Sequence, residues 1–410
     1  MGRAFLLFRK RGKRRSWRKI ARRRWLPVWV AFVVALMPLH AIAAPAAPAV
    51  PAAPANNAQA AAVMDVQSGR LLYSKSGDKP LPIASLTKIM TAIVAIEYGT
   101  LSDPVTVSSR AFGKEGSSIY LKLGQQMSLN DMLYGLMLRS GNDAATAIAE
   151  HVGGSLDGFV YMMNREAEAI GMTNSHFDNP HGLDSKTHYA SAVDMAKLSA
   201  YALRNPTFRE IVKTQVKRVP GDSGSGDYVW YNKNKMLALY EGADGVKTGY
   251  TKTAKRCLVS SATRDGRQVV VVTINDGSDW ADHARLLQYG FDQYKNRTLV
   301  SRGESVAAGF VAAQSFTYPL TEAEAAHVGR TFEAEAPESA NARLGISGRL
   351  HLFVNEQEVG SVPVVPEGGA RLTLPAKSAF QPSLAAQADS GGRFGHTLLA
   401  LVKQLFRMGR

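Results

Sequence analysis

Apolar residues in the first 300 positions recur mainly at the spacing of helices. Positions 86, 89, 90, 93 and 94 share one helical face, so we expect a buried helix that begins at Ser85 and stops at Gly99. The same periodicity predicts further helices over residues 129–138, 144–151, 156–170, 191–204 and 280–293. Ser128 with Asp131 resembles a capping box for the first of these.

Short apolar runs bounded by turn residues predict strands on both sides of these helices. Residues 62–66 and 71–73 read as a hairpin, and strands are expected over 245–249, 256–263 and 268–274. Strands at both ends with helices between them predict an α/β fold. In that fold the terminal strands of one sheet come together and the helices cover its faces.

A different unit is expected from about residue 298. Residues 350–354 and 359–365, joined by a turn at 355–357, read as a hairpin in a small β domain that extends to residue 375. Residues 376–392 are polar and are interpreted as a linker. Residues 393–410 predict a basic amphipathic helix that lies on an anionic membrane surface. The alternative is a helix packed against its own domain.

Positive charge is concentrated at the start of the chain. Of the formal net charge of +15, twelve positive charges and no acid lie in residues 1–44, which leaves +3 for the remainder. The basic segment, the short apolar run 26–39 and the small-residue site 41–43 are typical of a signal peptide over residues 1–43, with an uncleaved anchor as the alternative. Because the charge leaves with this segment, nucleic-acid binding is not expected.

The next segment and the cysteine content also indicate export. Residues 44–60 alternate Pro and Ala and are interpreted as an extended tether. Cys257 is the single cysteine, so no intrachain disulfide can form. Its apolar neighbours indicate a buried side chain rather than a reactive thiol. This composition suits an envelope enzyme that folds on its core alone.

The stretch A-S-L-T-K-I-M at 84–90 places a serine and a lysine three residues apart at the start of a helix. Serine needs a neighbouring base to become a nucleophile, and residues i and i+3 share a helical face, so Lys88 can reach Ser85. To act as a base, Lys88 must be buried and uncharged. The alternative is a helix cap beside a surface lysine. Ser76 and Lys79 have the same spacing but lie in a turn before Pro80.

Two later motifs favour the catalytic interpretation. In S-G-N at 140–142, which lies between two helices, Ser140 can pass a proton to a leaving amine and Asn142 can hold a substrate amide. In K-T-G at 247–249, on an expected strand, Lys247 can receive a substrate carboxylate and Gly249 leaves room for an extended peptide.

The order S-x-x-K, S-x-N, K-T-G is the signature of penicillin-binding proteins and class A β-lactamases. The stretches SLTKIMTAIVA, MTNSHFDNPHGLD and DGVKTGYTKTAKRCLVSSATRDG, with the run from GSSIYLKLG to AEHVGG, resemble the low-molecular-mass penicillin-binding proteins, the serine-type D-alanyl-D-alanine carboxypeptidases. The resemblance is strong over about 60–295 and looser over 300–410. It implies a β-lactamase/transpeptidase-like domain over 61–297, with an antiparallel sheet flanked by helices.

The resemblance also implies roles for the motif residues. Ser85 would form the acyl-ester with the peptide, and Lys88 would accept its proton. Ser140 and Asn142 would complete the catalytic group. No cofactor is implied, and no metal is assigned because His176, His181 and His188 lack a ligand spacing.

The K-T-G motif at 247–249 would bind the substrate. Lys247, aided by Thr248 and Gly249, would bind the terminal carboxylate, and the backbone N–H groups of Ser85 and Tyr250 would form the oxyanion hole. The implied partners are peptidoglycan stem peptides ending in D-Ala-D-Ala and, as covalent inhibitors, β-lactams. The implied location is the outer face of the cytoplasmic membrane.

Three other functions are alternatives to this one. A D,D-endopeptidase acting on cross-links would use the same residues. A β-lactamase would need an E-x-x-L-N loop, which is not found, and Glu166 lies inside an expected helix. A non-catalytic wall-binding paralogue would be expected to lose Ser85, Lys88 or Lys247, and all three are present. His181 is interpreted as ordering its own turn rather than as catalytic.

Overall fold

The computed structural model describes residues 52, 54–221 and 226–369 of the 410-residue chain. The strands of this part are β1 Ala60–Asp65, β2 Leu71–Lys75, β3 Pro104–Thr106, β4 Gln126–Ser128, β5 Val216–Val219, β6 Tyr228–Tyr231, β7 Ala243–Thr251, β8 Lys255–Arg264, β9 Arg267–Ile274, β10 Lys295–Val300, β11 Ser305–Ala307, β12 Phe310–Ala312, β13 Phe316–Leu320, β14 Val328–Ala334, β15 Gly348–Val354 and β16 Gln357–Pro366.

The helices connect and cover these strands. They are α1 Lys88–Tyr98, α2 Leu129–Tyr134, α3 Asn142–Gly153, α4 Leu156–Ile170, α5 Ala192–Ala202, α6 Pro206–Lys213, α7 Met236–Leu239, α8 Asp279–Gln293, α9 Glu322–Ala325 and α10 Ala340–Arg343, with a 3₁₀ turn at Ala84–Thr87 and a π turn at Gly135–Arg139. None of the helices in the described part of the chain has both the length and the apolarity needed to cross a bilayer.

A five-stranded antiparallel sheet with the order β2-β1-β9-β8-β7 forms the centre of the larger unit. The first strand pairs with β9, which lies more than 200 residues later, so the predicted meeting of the terminal strands is confirmed. Strand β7 pairs on one side with β8 and lies at the end of the sheet. Its other edge is therefore available to the turn that carries Ser85.

Both faces of the sheet are covered, as predicted. In β1 every residue is buried. Ala60, Ala62 and Met64 pack in the core that includes residues of α1 and α5, whereas Ala61 and Val63 pack in a second core with residues of α8. Alternate residues of a strand point to opposite faces, so a strand that is covered on both faces is largely apolar. The exception in β1 is the last residue, Asp65, which pairs with Arg267.

Helix ends with local capping residues follow the prediction closely. The helix α4 starts after Ser155 and stops at Gly171, which has a φ of +79°, and α5 starts after Ser191. The expected helix over 129–138 is shorter than predicted. Ser128 caps α2, but the helix gives way to the π turn, in which the Ser140 N–H bonds to the carbonyl of Gly135. This wider i to i+5 closure redirects the chain toward Ser140.

The predicted helix start at Ser85 is wrong by one turn. Residues 84–87 form a 3₁₀ turn, and the α-helix begins at Lys88. The sequence reading also missed α6, α7 and the two small hairpins β3–β4 and β5–β6. Apart from the eight-residue α6, these elements have three or four residues, and so short a pattern carries little periodicity.

The two ends of the chain fall mainly outside the described residues. These include the expected signal peptide 1–43, the linker 376–392 and the tail 393–410. The far end of the Pro/Ala-rich segment 44–60 is described and is folded. Ala58 is buried, and the Asn57 backbone N–H bonds to Asp282 Oδ2 at 2.7 Å. Residues 57–60 are thus part of the larger unit rather than of a tether.

The later β unit contains a second five-stranded sheet with the order β11-β12-β16-β15-β14. The predicted hairpin is confirmed as β15 and β16, and its core includes Leu352 and Val364. Arg70, beside β2, joins this unit to the larger one. Its guanidinium lies 5.0 Å from the ring centroid of Tyr318 and contacts Glu324 and the Pro319 carbonyl.

Candidate active site

Ser85 and Lys88 lie on successive levels of the 3₁₀ turn and the helix that follows it. A 3₁₀ turn has three residues per turn, so residues i and i+3 are directly above one another. Lys88 Nζ lies 3.1 Å from Ser85 Oγ. Ser85 is partly exposed, whereas Lys88 is fully buried. The hydroxyl is thus open to a ligand from one side and meets the amine on the other.

Two further oxygen atoms hold the Lys88 amine. Asn142 Oδ1 lies at 2.7 Å and the His181 carbonyl oxygen at 2.5 Å. Burial lowers the pKa of Lys88 well below its ordinary value, and the positive charges of Lys247 and Lys233 lower it further, against a smaller opposing effect of Asp143. A neutral amine can donate two N–H bonds to these oxygens and direct its lone pair to the hydroxyl of Ser85.

The side-chain amide of Asn142 is fixed at both ends. Its Oδ1 accepts from Lys88, and its Nδ2 donates to the Glu115 carbonyl at 2.6 Å. Its backbone N–H bonds to the Ser117 carbonyl at 2.7 Å, which ties the start of α3 to the loop before β4. The amide cannot rotate without breaking one of these bonds, so it holds the amine in one place.

Ser140 lies at the end of the π turn with a φ of +67°. Its side chain is buried, and its Oγ has no hydrogen-bond partner within the described residues. A buried hydroxyl without a partner costs free energy, so its presence needs an explanation. A hydroxyl so placed can exchange a proton with a bound ligand.

The K-T-G segment lies on β7, next to the turn that carries Ser85. Lys247 is buried, its Nζ donates to the Thr248 carbonyl at 2.8 Å, and burial with the nearby charge of Lys233 lowers its pKa to about 7. A Cβ atom on Gly249 would lie 3.2 Å from the backbone nitrogen of Ser85. Glycine therefore lets the strand approach the turn closely. Tyr250 follows with an exposed side chain.

Two contributions to the site were not found from the sequence. One is the backbone of the loop 179–184, whose His181 carbonyl binds Lys88. Every residue type has a backbone carbonyl, so the sequence does not reveal this contact, although the N-P-H-G run indicates a turn. The other is Lys233, whose Nζ lies 3.3 Å from Ser117 Oγ and whose charge acts on both buried lysines. In the stretch N-K-N-K at 232–235 it looks like a surface residue.

The histidine interpretation is refined by the loop geometry. His181 is buried, its pKa is lowered to about 3 by burial and by the charge of Lys88, and its Nδ1 accepts the Leu183 N–H at 3.3 Å. It orders its own turn, as predicted. Asp184 accepts from Thr251 Oγ1 at 2.8 Å. Among the residues that the structure describes, no group of three His, Cys, Asp or Glu side chains could hold a metal ion.

Burial raises the pKa of both Glu166 and Cys257. Glu166 lies within α4, mostly buried, and burial raises its pKa. Cys257 is buried, and burial raises the pKa of its thiol to about 12. The thiol is therefore unreactive at neutral pH, as its apolar surroundings in the sequence indicated.

The loop 179–184 generates a specific prediction. Gly182 has a φ of +83°, and a Cβ atom there would lie 2.0 Å from the Ala84 carbonyl oxygen and 2.8 Å from Thr87 Oγ1. We expect Gly182→Ala to displace the turn of Ser85 and to slow acylation by a fluorescent β-lactam at least tenfold, roughly the effect of 1.4 kcal/mol. The measurement is the rate of covalent labelling of folded protein.

The matched control for this variant is Gly171→Ala. Gly171 has a φ of +79°, but a Cβ atom there meets nothing within 4 Å. Both variants incur the same backbone strain, of about 1 kcal/mol. Equal labelling rates in the two variants would show that contact with the turn does not matter.

Comparison with known proteins places this geometry in a known family. The chain is 34% identical over 260 residues to D-alanyl-D-alanine carboxypeptidase DacF of Bacillus subtilis, a match that covers 62% of this chain and 67% of that protein. It is 30% identical over 343 residues to D-alanyl-D-alanine carboxypeptidase DacD of Escherichia coli, covering 75% of this chain and 86% of that protein.

Solved structures give the same result for the fold. Penicillin binding protein 5 of Haemophilus influenzae superposes with a TM-score of 0.65 at 26% identity, covering 77% of this chain and 98% of that one. The expected transpeptidase-like α/β fold with a C-terminal β domain is therefore confirmed. The model of the peptidase S11 family, described as D-alanyl-D-alanine carboxypeptidase, matches residues 47–278, which is more than half of the chain. The chain accordingly belongs to the S11 family of serine-type D-alanyl-D-alanine carboxypeptidases.

Proposed function

We propose that this carboxypeptidase removes the terminal D-alanine of peptidoglycan stem peptides through an acyl-enzyme on Ser85. The observation that carries the assignment is the buried amine of Lys88, 3.1 Å from Ser85 Oγ, with a pKa well below its ordinary value. A base of this kind is needed because a serine hydroxyl is a weak nucleophile. The family membership supports the reaction, and the geometry supports the choice of residues.

Acylation follows from these positions. Lys88 takes the proton of Ser85 as Oγ attacks the carbonyl carbon of the penultimate D-alanine. The resulting oxyanion is bound by the backbone N–H groups of Ser85 and Tyr250, in the narrow space that Gly249 leaves between strand and turn. Ser140 relays the proton from Lys88 to the departing amine of the terminal D-alanine. The C–N bond breaks, and the ester on Ser85 remains.

Hydrolysis of the ester regenerates the enzyme. Lys88 has lost its proton to the leaving amine and is neutral again. It can therefore accept a proton from a water molecule that attacks the ester carbonyl. The proton then returns to Ser85 Oγ as the shortened peptide leaves. A β-lactam acylates the same hydroxyl but keeps its amine tethered, so deacylation is hindered and the enzyme is inhibited.

Lys247 and Thr248 supply the specificity for a free C-terminus. An ammonium group at the end of the peptide path pairs with the terminal carboxylate of D-Ala-D-Ala. In the empty site the Lys247 pKa of about 7 leaves this charge only partly formed. A bound carboxylate favours the protonated form, because an opposite charge raises the pKa of an amine.

The nucleophile is tested by substitution. Ser85→Ala should abolish covalent labelling by a fluorescent penicillin and reduce D-alanine release from a D-Ala-D-Ala pentapeptide by more than about a thousandfold. Ser76→Ala is the matched control, because Ser76 and Lys79 repeat the S-x-x-K spacing in an exposed turn. Undiminished labelling of Ser85→Ala would refute the assignment.

The lysine roles predict a bell-shaped pH dependence of kcat/KM. Lys88 must be neutral, so activity is lost as pH falls through its lowered pKa. Lys247 must be charged, so activity is also lost as pH rises through about 7 in the free enzyme. The basic limb of kcat should lie at higher pH than that of kcat/KM, since bound carboxylate raises the pKa of Lys247.

Substitution of Lys233 tests the origin of this pH profile. Its charge lowers the pKa of both buried lysines, so Lys233→Met should shift both limbs of the kcat/KM profile to higher pH. Lys295→Met removes a charge that lies on β10 and bonds to the Phe291 carbonyl, and it should leave the profile in place. Identical profiles for the parent and Lys233→Met would contradict the electrostatic assignment.

We also propose that the chain is exported through residues 1–43 and held at the membrane surface by residues 393–410. The proposal rests on the charge and apolar pattern of these two segments. Deletion of residues 393–410 should move active enzyme from the membrane fraction to the soluble envelope fraction. The mature protein should begin near residue 44 by mass. Full-length protein in the cytoplasm would contradict export.

A further inference from the structure

Large exposed side chains lie on the two segments that meet at Ser117 and Lys233, beside the site. They are Tyr120 and Leu123 in the loop before β4 and Val229 and Tyr231 in β6, and we call them the aromatic rim. The ring of Tyr120 is 83% exposed and that of Tyr231 is 61% exposed. Exposed apolar side chains that cluster beside a cleft mark binding surfaces more often than isolated ones do.

The rim is continuous with the catalytic residues. Ser117, three residues before Tyr120, accepts the backbone N–H of Asn142 through its carbonyl and contacts Lys233 Nζ at 3.3 Å through its hydroxyl. Lys233 comes two residues after Tyr231. The Tyr231 carbonyl accepts from Arg139, the residue before Ser140, at 3.1 Å. Each tyrosine therefore lies within three residues of the contact between Ser117 and Lys233.

The backbone that carries the rim is held rigidly. The Asp143 carboxylate accepts the N–H groups of Ile119 and Leu121 at 3.1 and 3.2 Å, one on each side of Tyr120. Tyr120 itself has a φ of +63°, a conformation that is unfavourable for a large side chain. The clamp at both neighbours maintains this strain. It presents the ring to solvent, where no packing within the protein compensates for the backbone strain.

The two segments of the rim are also fixed to one another. Gln125 Nε2 donates to Tyr228 Oη at 3.0 Å, and the buried Trp230 packs against Gly135 beneath Ile119. Exposed rings on a fixed backbone lose little conformational freedom on binding, which is how tyrosine gives affinity at an open surface.

We propose that the aromatic rim binds the sugar rings of the glycan strand whose stem peptide occupies the cleft. The inference rests on the proposed function and adds the part of the substrate that lies beyond the peptide. Three residues separate the reacting D-Ala-D-Ala unit from the sugar in a pentapeptide stem, and they span roughly 10 Å when extended. The glycan strand therefore passes a short distance from Ser85, beside a surface that can bind it.

The chemistry of the rim fits a saccharide better than a protein partner. Tyrosine has an apolar face for the C–H groups of a pyranose and a hydroxyl for its polar edge. The rim is interrupted by polar and basic residues, among them Lys233, which suits the hydroxyl and carboxylate groups of a glycopeptide. A saccharide that is linked to the stem peptide in the cleft is also held at a high effective concentration beside the rim, which a separate protein partner is not.

The experiment compares substrates that share the scissile bond but differ in their sugar. The probes are a free D-Ala-D-Ala pentapeptide and polymeric peptidoglycan with the same stem, with D-alanine release as the measurement. Tyr120→Ala should lower kcat/KM on the polymer roughly fivefold more than on the pentapeptide, the size of one stacking contact. Tyr120→Phe keeps the ring and should retain most of the preference. Tyr161→Ala, which removes an exposed ring from α4, should leave the ratio unchanged.

The outcomes distinguish a failure of the glycan proposal from a failure of the proposed function. An equal loss on both substrates would show that Tyr120 acts on the stem peptide or on the wall, and it would overturn the glycan proposal. No loss on either substrate would overturn it as well. Penicillin labelling of each variant is measured in parallel. Failure of the parent to label at Ser85 would refute the proposed function, whereas a normal parent with an unchanged substrate ratio would refute the rim alone.

Discussion

The burial of the Lys88 amine constrains every other part of this active site. Placing a charged ammonium in a protein interior costs several kcal/mol, and the cost is avoided if the group is neutral. A neutral amine is useful as a base only if its lone pair faces the hydroxyl. Its position is set by oxygens from α3 and from the loop 179–184, and the hydroxyl comes from the 3₁₀ turn. Three distant segments must therefore meet at one atom.

Glycines lie where these segments approach one another closely. Gly182 packs against the Ala84 carbonyl, Gly249 against the nitrogen of Ser85, and Gly116 against the amide of Asn142. A side chain at any of these positions would push the segments apart. The contacts of Gly182 and Gly249 with the turn are made to backbone atoms, which have no rotamers to adjust.

The sequence predicts those parts of the fold whose causes are local. The bounds of α4 follow from Ser155 and Gly171, because a capping side chain and a left-handed glycine act within one turn. The motif order also predicts which side chains share the site. The 3₁₀ geometry at Ser85 is not predicted, since the i,i+3 spacing is the same in both kinds of helix. The choice between them depends on contacts with Gly182 and β7, which lie far along the chain.

Backbone and long-range electrostatic contributions escape prediction for a similar reason. The carbonyl of His181 binds Lys88 whatever side chain that residue bears. Lys233 affects the site through its charge and its contact with Ser117, and both depend on the packing of β6 against the π turn. In the sequence it is one exposed lysine among many. Motifs thus predict which side chains react, whereas the fold shows what fixes them.

In the proposed mechanism, two lysines with similar burial have opposite roles, and the difference lies in what reaches each amine. Lys88 is surrounded by neutral oxygens, and the effect of Asp143, which favours its charged form, is smaller than the cost of burial. Lys247 faces the path of an anion. When a carboxylate arrives, a proton on Lys247 accompanies it, and the net charge beside Lys88 changes little. The base therefore remains neutral in the complex, because the charge that binds the substrate is balanced by the charge of the substrate itself.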